Sequence, residues 1–408
     1  MHARQIACIA AALTVLLLPA HAAGQLLPAT PDVTGARVRF GPLWMNPSIA
    51  ITNVGVDTNL FNEAEEEQPK RDIAVAVTPQ TDMWMRAGRT WLSGNVRQDM
   101  MWYRDYGDEG STNGTYRFGW VVPLTRVALL VDGQWVHARE RPGAEIDARA
   151  RRQEGAGLAA LELRMLSRTY VGGSFERRTV RFSSGAMFEG VDLRRELTRV
   201  RTTGALNVRH ALTPMTSVIA EASTYRDAFA FSTDRDATSM QMSGGIKFDP
   251  AALIKGSAFV GYRRYTPASP DVPEYTGPTV AASLTYTTLS STRLSVEGTR
   301  DVEYSFDRNQ PYYVQSGFGG TITQRIAGPL DVQARASYRT LAYRDRIGAG
   351  VLVSERRDQV TTFGVGMGHR LARDLRFAFN VEQQRRTSLV RQRSFQGYRF
   401  GMSLSYGV

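Results

Sequence analysis

The last ten residues of the chain alternate without a break. Phe400, Met402, Leu404, Tyr406 and Val408 share one parity, and Arg399, Gly401, Ser403, Ser405 and Gly407 share the other. A β-strand turns successive side chains to opposite faces, so this segment has one apolar face with an aromatic near each end and one small, polar face. The same division recurs upstream. In Met240 to Phe248, Met240, Met242, Ile246 and Phe248 oppose Gln241, Ser243 and Lys247; in Leu375 to Gln384, Leu375, Phe377, Phe379 and Val381 oppose Arg376, Asn380, Glu382 and Gln384. Tyr116, Phe118, Trp120 and Val122 likewise oppose Arg117. Strands of this kind suit a wall with lipid on one side and water on the other.

The N-terminus supplies a compatible address. Met1 to Gln5 is short and basic, Ile6 to Leu18 is an apolar run, and Pro19-Ala20-His21-Ala22 closes an A-x-A site. Residues 1–22 are therefore expected to be a signal peptide cleaved after Ala22. The run is shorter than a membrane-spanning helix requires. The only cysteine, Cys8, lies inside it, which leaves the mature chain without disulfides or thiolate metal ligands. Hydrophobic residues make up 42% of the chain, and its mean hydropathy is -0.28. That would disqualify a helical membrane protein, but a barrel exposes only every second strand residue to lipid. A soluble all-β sandwich array is the competing reading. Trp102, Tyr116, Trp120, Tyr262, Tyr286, Tyr338 and Tyr406 fall near strand ends, where interfacial girdles sit, and this favours the barrel.

Short turn signals recur at Arg86 to Arg89, Pro123 to Thr125, Leu166 to Arg168, Thr213 to Met215, Asp249 to Ala251, Leu289 to Ser291, Ala327 to Pro329 and Ala372 to Asp374. Longer polar stretches alternate with them, among them Glu63 to Arg71, Arg139 to Glu154, Ser183 to Asp192, Thr266 to Glu274 and Arg344 to Asp358. Eight short turns join nine hairpins. The expected fold is all-β: a transmembrane antiparallel β-barrel of about 18 strands, with short periplasmic turns and longer extracellular loops. Residues 23–47 would form a short periplasmic segment, too short for the plug of a TonB-dependent transporter, and residues 48–408 the barrel.

The formal charge is +11 and nearly all the cations are arginines; Lys70, Lys247 and Lys255 are the only lysines. Alternation assigns Arg97, Arg117, Arg164, Arg178, Arg199, Arg201, Arg209, Arg263, Arg335, Arg339, Arg376 and Arg399 to the lumen. Asp99, Glu162, Glu176, Glu221, Glu297, Asp301 and Glu382 face the same way. Arg199, Arg201 and Arg209 form the clearest basic stripe. Planar, permanently charged guanidiniums suit transient contacts with carboxylates or phosphates, giving an anion-attracting channel. A ladder of cross-strand Arg–Glu pairs that selects nothing is the alternative. Loop residues Arg139, Arg141, Arg149, Arg151, Arg152, Arg391 and Arg393 are expected to meet the phosphates of outer-membrane lipid and lipopolysaccharide. The Arg139 to Glu154 loop could instead fold inward as a constriction.

No catalytic constellation emerges. His137, His210 and His369 are isolated, and H-E-x-x-H, G-x-S-x-G and phosphate-loop motifs are missing from the sequence. Gly364, Gly366 and Gly368 read as a small-residue lumen face. The chain is expected to be neither an enzyme nor a cofactor, metal or nucleic-acid binder.

Two resemblances sharpen this reading. Arg399, Gly401, Leu404 and Tyr406 fill the places of the C-terminal signal of Gram-negative outer-membrane barrels, although many of those end on Phe or Trp and this chain runs on to Val408. The resemblance implies recognition by the barrel-assembly machinery. Asp57-Thr58-Asn59-Leu60-Phe61, followed by Asp72-Ile73 and Val77-Thr78-Pro79, resembles the "putative β-barrel porin 2" family. Phe259 to Tyr265, Tyr275 to Pro278 and Leu284 to Tyr286 are similar to its middle strands. Members of that family are often encoded with exopolysaccharide biosynthesis genes. The resemblance thus implies a passive conduit for a secreted polysaccharide, neutral or anionic, aided by a separate periplasmic polysaccharide-export protein. A diffusion porin for small solutes, general or anion-preferring, and a structural or adhesive barrel remain as alternatives.

Overall fold

The computed structural model describes residues 31, 33–250, 252–288 and 291–407. The expected signal peptide and Val408 lie outside them. Eighteen long strands form the wall. They are β1 Leu43–Asp57, β2 Asp72–Ala87, β3 Thr90–Tyr103, β4 Ser111–Pro123, β5 Val127–Glu140, β6 Ala150–Arg164, β7 Thr169–Phe182, β8 Arg199–Thr213 and β9 Thr216–Phe229. The second half comprises β10 Ala237–Phe248, β11 Ile254–Pro267, β12 Tyr275–Thr288, β13 Thr292–Tyr304, β14 Tyr312–Ala327, β15 Leu330–Arg344, β16 Arg357–Arg370, β17 Leu375–Thr387 and β18 Phe395–Tyr406. Each pairs antiparallel with the next, and β1 pairs with β18, so the sheet closes on itself and leaves no edge.

The short turns and long connections fall in the expected alternation. The first strand begins at Leu43 rather than near Ser48. Val38–Phe40 folds back on its start as a short antiparallel ribbon with Val38 opposite Met45, so part of the segment expected to be periplasmic belongs to the wall. The third long connection is also shorter than expected, residues 141–149, because β5 runs to Glu140 and β6 starts at Ala150.

Alternation is visible in exposure. In β8, Leu206 is 69% exposed and Val208 46%, while Ala205 and Asn207, facing in, are 6% and 4%. In β18, Phe400, Met402, Leu404 and Tyr406 are all exposed on the outer face. Trp102, Trp120, Tyr262, Tyr286 and Tyr406 point outward as the girdle expectation requires; Tyr116 and Tyr338 are only half-exposed, Tyr116 stacking on His137 and Tyr338 against Phe318.

The closing seam explains two of the motifs. Register between β1 and β18 shifts between Ile51 and Val54, where Asn53 takes a left-handed φ of 55°. This bulge brings Gly55 opposite Gly401. A Cβ on Gly55 would overlap the backbone carbonyl oxygen of Phe400, so only glycine fits. Just beyond, Asp57 accepts from Arg399 Nε at 2.8 Å and from the Asn59 amide at 3.0 Å. Asn59, 1% exposed, donates from Nδ2 to the carbonyls of Glu63 at 2.8 Å and Gln396 at 3.1 Å. Phe61 packs edge-on against Tyr106 with ring centroids 5.1 Å apart. The Asp57–Phe61 motif therefore fastens the first long connection across the seam to the last strand.

Candidate functional site

The lumen holds a cavity of about 620 Å³ bounded by strands β2 to β14. Arg97, Arg117, Arg178, Arg199, Arg201 and Arg263 line it, together with Asp82, Asp99, Glu154, Glu176, Glu221, Asp301 and Glu303. The excess of positive charge expected for this space is not there. Most of the nominated arginines meet a carboxylate. Arg97 holds Asp99 with two bonds of 2.9 Å, Arg178 meets Glu176 at 3.1 Å, and Arg263 pairs with Asp301 and Gln241. Of the basic stripe, Arg201 grips Asp227 at 2.9 and 2.8 Å and Arg209 grips Glu162 at 3.0 and 2.6 Å. Arg199 instead donates to the Leu197 carbonyl at 3.2 Å and lies over the Tyr304 ring, 5.0 Å from its centroid. Arg164, at the end of β6, donates to the Ser167 carbonyl of the neighbouring turn at 2.9 Å. Arg117, Arg164, Arg199 and Arg339 are the nominated arginines with no carboxylate within ion-pair distance among the described residues.

A column of glycines makes part of this ladder possible. In β16, Gly364 sits between Arg335 of β15 and Glu382 of β17, and Arg335 reaches over it to Glu382. Gly368 likewise lies under Arg376, which reaches Asp331 on β15 at 3.1 and 2.6 Å. A Cβ at Gly364 would stand 2.6 Å from Arg335 Nε, and one at Gly368 2.7 Å from Arg376 Nε. The small-residue face thus lets second-neighbour strands exchange ion pairs across an intervening strand.

The extracellular end is covered from inside. The third long connection turns inward, and Pro142, Gly143, Glu145 and Ile146 roof the cavity. Glu145, 2% exposed, accepts from Ser305 Oγ at 2.6 Å and from the Phe306 amide at 3.2 Å. Its carbonyl accepts from Arg386 at 3.5 Å and from Arg393. Asp147 pairs with Arg386, lies 3.6 Å from Arg393 and accepts from Asn62 Nδ2 at 2.9 Å. Ile146 joins a buried apolar cluster with Phe182, Leu193, Leu197, Tyr304, Phe306 and Tyr312. Leu193 and Leu197 come from a single helical turn, α1 Leu193–Leu197, capped by Asp192, which accepts from the Arg194 amide at 2.9 Å. Glu196 on the same turn takes Arg235 at 3.3 Å and Arg308 at 2.7 Å.

Electrostatics inside the cover are those of dry surroundings. Burial pushes the Glu145 carboxyl up against the pull of Ser305, Arg393 and Arg356. Burial, then Arg399, pushes Arg141 down to about 10. Burial also works against the Arg393 charge, but Asp147 and Glu189 outweigh it and hold its pKa above the ordinary value. Several arginines expected to meet lipid phosphates are thus turned inward or paired. Arg393 is buried at 3% exposure, Arg152 bridges Glu140 and Glu154, Arg139 meets Glu109 at 3.1 Å and Arg141 donates to the Asp147 carbonyl at 2.9 Å. Sequence reasoning does not single out Glu145, Asp147 or Arg386 as site residues.

A closed barrel with an apolar outer face, a charged lumen and an inward third loop defines an outer-membrane β-barrel of the porin class. The chain belongs to the family described as "Putative beta-barrel porin 2", whose model matches residues 31–406. Similar solved structures include Pseudomonas aeruginosa OccK2 (OpdF) in complex with glucuronate, at 10% identity, with 89% of this chain and 98% of that one covered and a TM-score of 0.46. A BenF-like porin from Pseudomonas fluorescens Pf-5 is similar at 9% identity, with 89% and 98% covered and a TM-score of 0.47. Pseudomonas aeruginosa OpdQ is similar at 9% identity, with 89% and 97% covered and a TM-score of 0.44. No curated protein matches the chain.

Proposed function

We propose that this porin-class barrel is a gated, passive conduit for a secreted polysaccharide. The observation that carries the reading is a polar, charge-balanced cavity beneath a cover built from several loops. A hydrated polymer slides best along contacts that are many and weak, and alternating guanidinium and carboxylate groups offer those without one tight binding site. A wide secretion channel also needs to be shut when idle, and the apolar and ionic packing around Ile146, Glu145 and Asp147 provides such a closure. Membership of a family often encoded with exopolysaccharide genes supports the polymer over other cargo. Delivery would fall to a separate periplasmic polysaccharide-export protein, whose engagement would free the cover.

The inward third loop favours a second reading, a diffusion porin for small solutes in which the same loop merely narrows an open pore. Swelling of vesicles carrying the wild-type protein separates the two. A conduit with its cover shut should give no swelling in isosmotic arabinose or glucose; prompt swelling would favour the diffusion porin.

A further inference from the structure

The closed wall forks at one place. Strands β12 and β13 pair from Thr288 opposite Thr292 up to Val280 opposite Arg300, and there the ladder stops. Both strands continue, β12 paired with β11 as far as Tyr275 and β13 with β14 as far as Tyr304. The next outward-facing pair in this register would be Pro278 with Val302, and proline has no N–H to give. The two flanks are capped locally instead. The Val302 amide donates to its neighbour Asp301 Oδ1 at 2.7 Å, and the Pro278 carbonyl accepts from the Tyr275 hydroxyl at 3.1 Å. Beyond the fork the β13–β14 end bends to the lumen side of β11. Val302, Tyr304, Tyr312 and Val314 have outward parity yet are at most 9% exposed. Tyr312 packs on Tyr265 with ring centroids 5.0 Å apart, and Tyr304 donates to Asp227 of β9 at 2.8 Å.

The lumen cavity borders this fork. Of the strand residues around it, Val260, Val280, Arg300 and the tucked Tyr304 alone have outward parity, and the first three form one row across β11, β12 and β13. That row lies just inside the extracellular girdle. Tyr262, 59% exposed, stands opposite Pro278 one row above, and Tyr286, opposite Ile254, lies three rows below. The fork is therefore level with the boundary between acyl chains and head groups of the outer leaflet. Arg300 is a cation on a lipid-facing row, a costly placement unless it has a partner. Its Nη1 donates to Ser316 Oγ at 2.7 Å, its Nε is buried without a partner, and among the described residues no carboxylate lies within ion-pair distance. The adjacent Asp301 is already engaged by Arg263 and by the Val302 amide. An acidic head group on an apolar tail satisfies both sides of this place, charge on Arg300 and chain along Val260 and Val280.

We propose that the β12–β13 fork is a lateral binding site for an anionic amphiphile of the outer leaflet, its phosphate or carboxylate head on Arg300 and its acyl chain in the bilayer. The only cysteine, Cys8, lies in the expected signal peptide, so a single label can be placed in the barrel. A bimane on Thr299→Cys, lumen-facing beside the fork, is compared with one on Ser223→Cys, lumen-facing on β9; both positions border the cavity. Each full barrel, first shown to migrate as folded on cold gel electrophoresis, is reconstituted in phosphatidylcholine vesicles. The vesicles carry a minor fraction of phosphatidic acid or phosphatidylcholine bearing a nitroxide on one acyl chain. The Thr299 label should be quenched several-fold more strongly by the phosphatidic acid, and the Ser223 label by neither lipid. Arg300→Gln should remove the preference and Arg300→Lys should keep most of it. No quenching at Thr299, equal quenching by the two lipids, equal quenching at Ser223, or a preference that survives Arg300→Gln would overturn the proposal. A response of the Thr299 label to soluble glycerol phosphate, with none to phosphatidic acid, would also overturn it and assign the fork to a soluble anion.

Discussion

Asp147→Ala should unlatch the extracellular cover. The substitution removes the carboxylate that faces Arg386 and Arg393, both buried at 2% and 3% exposure. Arg393 keeps Glu189 at 2.9 Å, but Arg386 is left with only backbone and ring contacts. Breaking a buried ion pair by deleting one partner costs about 3–5 kcal/mol. At about 1.4 kcal/mol per decade, the ratio of docked to released loop should fall by about two to three and a half powers of ten. In planar bilayers the wild-type barrel should show rare openings and the variant sustained ones. Asp147→Asn, which can keep a contact with Asn62 but loses the charge, should lie between. Identical traces for wild type and Asp147→Ala would mean that the third loop does not hold the mouth shut.

The second large effect concerns closure of the wall. Gly55→Ala places a methyl group where the Phe400 carbonyl oxygen already lies, and backbone on both sides of the seam cannot rotate away as a side chain could. Overpacking of this kind costs about 1–3 kcal/mol or more even where side chains absorb it; here β1 and β18 must separate locally and forfeit ladder hydrogen bonds. The variant should lose the heat-modifiable folded band on cold gel electrophoresis. Gly133→Ala, on β5 with nothing within 4 Å of its added methyl, should fold as the wild type does. A Gly55→Ala barrel of normal yield and heat-modifiability would contradict the seam as described.

What the sequence exposes and what it hides follow from the range of the interactions. The faces of β10, β17 and β18 and the alternation of turns are readable because side-chain parity and turn chemistry are local. The start of β1 is not, because Leu43 to Pro47 belongs to the wall through its pairing with β2, a contact no local pattern announces. Arginine parity places Arg201 and Arg376 in the lumen, but parity alone does not match them to Asp227 and Asp331, and so the lumen reads as more basic than it is. Gly364 and Gly368 are visible as a small-residue face, but their use depends on the register of three neighbouring strands. The cover is the least legible part. Glu145 finds Ser305 and Arg393 at separations of 160 and 248 residues, and nothing in a polar loop distinguishes an arginine bound for lipid phosphate from one bound for a buried carboxylate.

The most direct test of a gated polysaccharide conduit is deletion of the gene in its native host, with surface polymer and periplasmic polymer measured together. If the barrel is that conduit, surface polymer disappears while polymer accumulates behind the outer membrane, and the wild-type chain restores export. Unchanged surface polymer in the deletion strain would contradict this and leave solute diffusion as the function of the barrel.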